Sequence, residues 1–440
     1  MNPSPKNFSL LHVALFGGAI ATTAALSFFG SSVRAALQES PKSVVDEAWQ
    51  IVNREYVDGT FNQVDWQAKR QQLLNKNYNS REDAYKAIRE ALETLADPYT
   101  RFLDPKQYQA LTSQTSGELS GVGLRLELNE KTQVLTVVEP IENSPAVKAG
   151  LQTGDKILTI NGKATKGMSV EAAANLIRGE VGTKVTLKLS REGKGDFDVT
   201  LTRAQIEIAA VRQSVKQEGK LRVGYIRLNE FSAHSAEQMR RAIQSLNNDK
   251  VDAFVLDLRG NPGGLLHASV EIARMWMDKG AIVRTVNRKG DNEEFATNRT
   301  ALTQLPLAVL VDGNSASASE ILSGALKDNG RATIIGSQTF GKALVQSVHS
   351  LSDGSGLAVT IAHYYTPLGT DISHKGVTPD IKIDLNDDQR KRLGTNPSLV
   401  GTQQDPQYAR AIATLENTRL AQPNKPQRNR PISVREVLRK

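Results

Sequence analysis

The chain has 440 residues and a formal net charge of +8 at pH 7, and 39% of its residues are hydrophobic, so it is long enough for two or three globular domains. Its lysines and arginines are spread along the chain without an aromatic-rich or zinc motif, which argues against nucleic-acid binding. It contains no cysteine, which excludes disulfides, thiol catalysis and a lipoprotein anchor and suits an oxidising compartment.

Residues 1–36 predict a secretory signal or a membrane anchor. Lys6 precedes an apolar run from Leu10 to Phe29, and small residues follow it. Glycines and threonines dilute the run, which favours a signal cleaved near Ala35. The run is also long enough to span a bilayer, so an uncleaved anchor is the alternative. In either case the rest of the chain is expected outside the cytoplasm.

Residues 37–114 show the periodicity of helices. Large apolar residues recur at helical spacing from Val45 to Tyr56 and again from Ala87 to Leu95. The segment Asp97–Phe102 then closes the region with a turn. We expect a packing domain that contributes no chemistry.

The pattern changes to short strands over residues 115–204. Its most informative string runs from Ser144 to Gly162 and contains Ser-Pro-Ala, Ala-Gly-Leu, Gly-Asp and Asn-Gly in that order. A helix is expected from Ser169 to Arg178. The string resembles a PDZ domain, and Arg178 is either a contact from that domain to the next one or a solvated helix-end charge.

A PDZ domain binds the free C-terminus of a peptide as an added strand. The resemblance implies a loop whose backbone N–H groups face the terminal carboxylate, and an apolar pocket for a small terminal side chain. The expected loop residues are Gly121, Val122, Gly123 and Leu124. The expected pocket residues are Leu124, Leu126, Val170, Ala174 and Ile177.

From residue 205 to 385, expected strands alternate with expected helices. The strand Leu305–Val311, the helix Ser315–Lys327 and the strand Ala332–Ile335 are one example. Such alternation favours a largely parallel sheet with function at the strand C-terminal ends. The chain is therefore predicted to be a multidomain α/β protein: an N-terminal helical region, a PDZ domain and a mixed, mostly parallel α/β core. Residues 386–440 are expected to form a polar helix and a flexible tail.

The serine-rich stretch Ser315–Ser319 lies at a strand-to-helix turn. A serine there directs its hydroxyl to the end of the sheet, where the helix N-terminus offers unpaired N–H groups to a developing negative charge. Serine becomes a good nucleophile only when a base removes its proton. Lys342 follows another expected strand, Thr333–Gly336, and a glycine turn ends a third at residues 260–264. Taken singly, these residues also fit a helix cap and a solvated lysine.

Together the motifs resemble those of the carboxyl-terminal processing peptidases, the tail-specific serine proteases of family S41. The resemblance implies a Ser–Lys dyad in which Ser317 is the nucleophile and Lys342 the general base. The resemblance also implies that Gln346 orients Lys342, and the two side chains are expected on one face of a strand. The backbone N–H groups of Gly263 and Ala318 would form the oxyanion hole.

The resemblance runs from Pro41 to Ile383, and the stretch Val44–Phe61 looks like the cyanobacterial and chloroplast branch. That branch trims the C-terminal extension of the photosystem II D1 precursor. The resemblance implies an exported serine endopeptidase of the periplasm or thylakoid lumen, without cofactor or metal. Its partners would be proteins with a free, small, apolar C-terminus, near a membrane if the anchor is retained. The oligomeric state is left open.

Lys342 needs a lowered pKa, because a free lysine is almost wholly protonated at neutral pH. Burial among apolar neighbours such as Phe340 and Leu344 is expected to lower it. Glu320 and Asp328 lie on the expected helix of the nucleophile. Both are interpreted as surface acids or as supporting groups, not as catalytic ones.

Three other functions compete with this interpretation. Gly336–Lys342 matches the Gly-x-x-x-x-Gly-Lys phosphate loop of NTPases, but Ala343 replaces the Mg²⁺-binding hydroxyl and a strand follows instead of a helix. A Ser–His–Asp hydrolase is disfavoured because Gly-x-Ser-x-Gly does not occur. A metal site is also disfavoured, because the six histidines show no metal-ligand spacing. A PDZ-based binding protein or chaperone with an inactive hydrolase domain is the remaining alternative.

Overall fold

The computed structural model describes residues 40–129 and 132–421. The predicted signal or anchor and the predicted linker from Gln422 onward lie outside these residues. Within the described part of the chain, no helix is long and apolar enough to cross a membrane. The described residues form a helical region, a small β-rich region and an α/β core, as the predicted fold class requires.

The helical region consists of four helices and one short strand: α1 (Pro41–Glu55), α2 (Trp66–Asn75), α3 (Arg81–Glu93), β1 (Arg101–Leu103) and α4 (Pro105–Ser116). Ser40, Asp65 and Ser80 cap the first three helices, each accepting a hydrogen bond from a first-turn N–H. The apolar faces of α1 and α3 pack on Leu357 and Val359 of a later strand. The region is therefore built onto the α/β core.

The β-rich region contains a two-stranded ribbon and a separate six-stranded sheet. Its elements are β2 (Glu118–Gly121), β3 (Leu124–Asn129), β4 (Val134–Pro140), α5 (Pro145–Lys148), β5 (Lys156–Ile160), β6 (Lys163–Ala164), α6 (Val170–Ile177), β7 (Lys184–Arg191), β8 (Gly195–Thr202) and β9 (Ala204–Glu207). The sheet order is β3-β4-β5-β7-β8, with β6 on β5, and β2 pairs antiparallel with β9. The edge strand β3 lies beside α6.

The α/β core has two sheets. Its elements are β10 (Val211–Glu218), β11 (Leu221–Leu228), α7 (Ser235–Asn248), β12 (Ala253–Asp257), α8 (Leu266–Trp276), β13 (Ala281–Asn287), β14 (Asn292–Ala296), β15 (Leu307–Val311), α9 (Ala318–Asp328), β16 (Thr333–Gly336), β17 (Leu344–Ser350), β18 (Gly356–Tyr365) and β19 (Ile381–Lys382). The central sheet, in the order β10-β11-β12-β15-β16-β19, is parallel except for β10. The second sheet, in the order β1-β18-β13-β14, also holds β17 against β18. The parallel strands therefore end together, which brings the turns after β12, β15 and β16 to one edge.

The C-terminal segment is part of the core. It contains α10 (Asp387–Thr395), a short 3-10 turn (Pro397–Leu399) and α11 (Pro406–Ala421). Tyr408, Ala411, Ile412 and Leu415 are buried against the face of the central sheet opposite α7, α8 and α9. The segment was expected to be a polar helix and tail, but its helix covers one face of the sheet.

Candidate active site

Ser317 lies at the turn between β15 and α9. The predicted helix started at Ser315, but α9 starts at Ala318 because the preceding serines build the turn. The Ser315 hydroxyl donates to the carbonyl oxygen of Leu258 at 2.8 Å and accepts from the Asp312 N–H at 3.0 Å. Ser317 has φ 54° and ψ −113°, a costly conformation for a residue with a side chain. The turn therefore holds the predicted nucleophile in a strained position at the helix N-terminus.

Gly263 lies directly against this turn. A Cβ on Gly263 would come within 2.7 Å of the Ala316 carbonyl oxygen, 2.9 Å of the Ser317 Cβ and 3.0 Å of the Ala318 nitrogen. Only glycine allows that approach, and its φ of 102° also favours glycine. The structure thus brings both predicted oxyanion donors to Ser317. The Gly263 N–H donates to the Asn261 Oδ1 at 2.9 Å, so one of the two donors is already engaged.

Lys342 lies in the loop between β16 and β17, under an aromatic ring. Its Nζ is 4.6 Å from the centroid of the Tyr99 ring. Burial lowers the pKa of Lys342, and the nearby Arg101 charge lowers it further, while Asp97 and Glu320 oppose these effects. A lowered pKa increases the fraction of neutral lysine, the form that can accept a proton.

The prediction named Phe340 and Leu344 as apolar neighbours that bury Lys342; Leu344 is half-buried, but Phe340 does not fit. Phe340 is 55% exposed and points to solvent instead of covering Lys342. The cover comes from Tyr99, in the segment that closes the helical region. That region was expected only to pack, but it supplies both the ring and a charge beside Lys342.

Glu320 connects the Ser317 turn to the Lys342 loop. Its side chain is fully buried, so of the two interpretations, a surface acid or a supporting group, only the supporting group fits. One carboxylate oxygen accepts from the N–H groups of Ser317 at 2.8 Å and Lys342 at 2.9 Å. The other accepts from the Thr339 hydroxyl at 2.6 Å and the Gly341 N–H at 2.7 Å. The Ser-x-x-Glu spacing of a capping box was the sequence signal for this residue.

Tyr364 makes a second connection between the same two segments. Its hydroxyl is 3.1 Å from the Ser317 carbonyl oxygen and also contacts the Lys342 carbonyl oxygen. The ring is almost fully buried, and that burial raises the pKa of the phenol well above its usual value. Tyr364 therefore stays protonated and keeps its donor. Sequence reasoning missed this residue.

Gln346 does not share a strand face with Lys342. Strand β17 begins at Leu344, and a register shift between Val345 and Gln346 breaks the alternation on which the prediction rested. The Gln346 amide donates to the Thr360 hydroxyl at 3.5 Å, and that hydroxyl donates to Asp97 at 2.7 Å. Gln346 is thus linked to a carboxylate that acts on Lys342.

The predicted peptide-binding loop lies between β2 and β3. Val122 is fully buried and its carbonyl oxygen accepts from Ala146 at 2.9 Å. Gly123 has φ 79°, and a Cβ there would approach Ser144 to 2.2 Å, so glycine is required. The pocket residues lie together on β3 and α6 and are half-buried except Ile177, which is buried; they are Leu124, Leu126, Val170, Ala174 and Ile177.

Contacts between the β-rich region and the core involve residues other than Arg178, which is exposed. The His234 ring nitrogen is 2.8 Å from a Glu118 carboxylate oxygen. The Ala233 N–H donates to the Thr115 carbonyl oxygen at 2.9 Å. The junction is therefore made by the ribbon and the end of α4.

The fold and the site define a class: a serine-type peptidase with an α/β core and a PDZ domain. Residues 222–383 match the model of peptidase family S41, and residues 136–191 match that of the PDZ domain. The chain belongs to peptidase family S41, among its carboxyl-terminal-processing peptidases. This confirms the predicted family, fold class and enzyme class.

Similar proteins support this assignment over most of the chain. A carboxyl-terminal-processing protease of a Picosynechococcus strain is 43% identical over 88% of this chain and 92% of its own length. One from a Synechocystis strain is 44% identical over 81% and 84%. A solved photosystem II D1 C-terminal processing protease is 38% identical, with a TM-score of 0.51, over 78% of this chain and 93% of that one.

Proposed function

We propose that this peptidase cleaves protein substrates near their C-terminus with a Ser317–Lys342 dyad. The observation that carries the proposal is the buried Glu320 carboxylate, which binds the backbone N–H groups of both residues. One carboxylate thus holds a serine and a lysine in a fixed arrangement at the edge where the parallel strands end, as a catalytic pair requires. A helix cap alone accounts for the bond from the Ser317 N–H, but it does not account for the bond from the Lys342 N–H to the same oxygen.

In the first step, neutral Lys342 accepts the Ser317 hydroxyl proton as the serine oxygen attacks the scissile carbonyl. Lysine then donates that proton to the leaving amine. Water attacks the acyl-enzyme with the same base, which restores the serine. Because the attack by serine and the later attack by water each need neutral lysine, the cover by Tyr99 and the charge of Arg101 favour the reaction. Gln346 acts on this base indirectly, through Thr360 and Asp97.

The oxyanion is held by the N–H groups of Gly263 and Ala318. Ala318 is the first residue of α9, so its N–H points out of the positive end of the helix. The Gly263 N–H is bound to the Asn261 Oδ1, so it must exchange that acceptor for the oxyanion. Removal of a single oxyanion donor costs about 10²–10³ in rate in serine proteases.

Residues 115–204 form the PDZ domain that selects the substrate tail. Strand β3 is an edge of its sheet, so an extended peptide can add beside it while the Gly121–Leu124 loop binds its terminal carboxylate. The half-buried pocket between β3 and α6 suits a small apolar terminal side chain. The helical region, described from residue 40, and the α/β core, which extends beyond residue 385 to the C-terminal helix, are the other two parts of the exported enzyme.

We propose the photosystem II D1 precursor as a candidate substrate, because the similar solved structure is that of a photosystem II D1 C-terminal processing protease. The exported domains would then lie in the periplasm or the thylakoid lumen. Cleavage of a peptide with a free, small, apolar C-terminus, compared with its amidated twin, tests the tail requirement. Preference for the free carboxylate supports the proposal, and equal turnover of both peptides contradicts it.

A further inference from the structure

The guanidinium of Arg259 is enclosed by residues from two distant parts of the chain. Arg259 is 92% buried and follows the end of β12 by two residues. Its Nε and Nη2 donate to the Asp257 carboxylate at 2.9 and 2.7 Å. Its Nη1 and Nη2 donate to the Asp405 carboxylate at 3.0 and 2.7 Å, and Nη1 also donates to the Gln407 Oε1 at 2.9 Å. All five N–H donors of the guanidinium are therefore used.

We call Asp257, Arg259, Asp405 and Gln407 the Arg259 clamp. The carboxylates of Asp257 and Asp405 both bind the Arg259 guanidinium, and both are fully buried. Burial alone would raise the pKa of Asp257, but the Arg259 guanidinium holds it below its usual range. A buried ion pair of this kind is costly to break, because the remaining charge loses its partner.

The clamp lies at the start of the segment that carries Gly263. Arg259 is followed by Gly260, whose N–H donates to Asp312 at 2.9 Å, and by Asn261, whose carbonyl oxygen accepts from the Ser319 hydroxyl at 3.0 Å. Gly263 itself touches the Ser317 turn. Arg259 is thus fixed four residues before the predicted oxyanion donor.

The other side of the clamp belongs to the C-terminal helix. Asp405 precedes α11 and also accepts from the N–H groups of Gly401 at 3.1 Å and Gln407 at 3.2 Å. Gln407 in turn donates to the Ile383 carbonyl oxygen at 2.8 Å. Asp405 and Gln407 lie beyond residue 383, where the match to the peptidase family ends.

We propose that Asp405 and Gln407 are positioning residues of the active site, which act through Arg259 to hold the Gly263 segment against Ser317. The inference rests on the proposed oxyanion role of Gly263. It assigns the C-terminal helix a part in catalysis in addition to its packing on the sheet. A misplacement of about 1 Å at a catalytic group can cost on the order of 10²-fold in rate.

The test compares Asp405→Asn with a matched control on the helix that follows it, Leu415→Ala. Asparagine keeps the size of Asp405 but presents an NH₂ to one of the guanidinium donors. Leu415→Ala loosens α11 from the same sheet, since Leu415 is 2% exposed, without touching the clamp. Both variants are assayed well below their melting temperatures, with active sites counted by titration with a peptidyl fluorophosphonate.

We expect Asp405→Asn to lower kcat per active site by about 10- to 100-fold, with KM within about twofold. Affinity for a peptidyl boronate, whose adduct places an oxygen in the oxyanion hole, should fall in parallel. Asp405→Glu, which restores the carboxylate, should recover part of both. Leu415→Ala should lower the melting temperature and leave kcat per active site unchanged.

The inference is overturned if Asp405→Asn keeps full kcat per active site, or if Leu415→Ala lowers kcat and boronate affinity as much at a similar loss of stability. A Ser317→Ala variant separates this failure from that of the proposed function. An inactive Ser317→Ala beside a fully active Asp405→Asn overturns the clamp alone. A fully active Ser317→Ala overturns the proposed chemistry and the clamp with it.

Discussion

Glu320→Gln is the substitution that most directly perturbs the link between the two halves of the dyad. The carboxylate accepts four hydrogen bonds, two on each oxygen. Glutamine keeps one oxygen and replaces the other by an NH₂, which cannot accept. Two of the four donors must therefore lose their acceptor or turn away.

The less costly orientation places the NH₂ toward Thr339 and Gly341. The Thr339 hydroxyl can rotate and accept, although it already accepts from the Val377 N–H at 2.6 Å. The Gly341 N–H cannot rotate and would be left unpaired. One unpaired buried donor and the loss of charge in the remaining bonds together cost about 2–6 kcal/mol, taking about 1–3 kcal/mol for each of these two effects.

We expect Glu320→Gln to fold, to melt at a lower temperature and to lose activity by about 10²-fold, because the Lys342 loop shifts relative to Ser317. The assay is kcat on a tailed peptide together with a thermal melt followed by circular dichroism. Asp328→Asn is the matched control, because Asp328 lies at the other end of α9 and accepts, among the described residues, from the Leu368 N–H at 3.0 Å. A Glu320→Gln enzyme with near-normal kcat would refute the reasoning.

Two further predictions concern the base and the PDZ domain. Arg101→Gln removes a positive charge that helps to lower the pKa of Lys342. The rising limb of its pH–rate profile should therefore move to higher pH, and its rate at neutral pH should fall. Arg89→Gln, in the same region, is the control, and an unmoved profile in Arg101→Gln contradicts the effect. Deletion of residues 115–204 should reduce affinity for tailed proteins, and kcat on short peptides separates two roles: it is kept if the PDZ domain only tethers substrate and falls if the domain also orders the active site. Unchanged kinetics on both substrates would contradict both roles.

Much of the site was predictable because local patterns determine it. The apolar run of β15 and the small residues after it predicted the turn that holds Ser317. The string from Ser144 to Gly162 predicted the PDZ domain because its turns need those residues. The helix start was misplaced by three residues because Ser315 binds the Leu258 carbonyl oxygen, a contact between segments 57 residues apart.

The rest depends on contacts that a one-dimensional pattern does not reveal. Tyr99 covers Lys342 from more than 240 positions away in the sequence, so the two could not be paired by spacing. The C-terminal helix has a mostly polar composition, yet Tyr408, Ala411, Ile412 and Leu415 have helical spacing and form its buried stripe. That stripe was the available signal, and the composition of the surrounding tail concealed it.

The central claim is that Lys342 accepts the proton of Ser317, and Lys342→Arg tests it most directly. Arginine keeps the positive charge but does not lose its proton in proteins. The measurement is kcat/KM on a tailed peptide from pH 6 to 9 for the parent, Lys342→Arg and Ser317→Ala. The account predicts a loss of at least about 10³-fold in both variants at every pH, with the fold unchanged by circular dichroism. Substantial activity in Lys342→Arg would show that Lys342 contributes charge and not proton transfer, and would contradict the account.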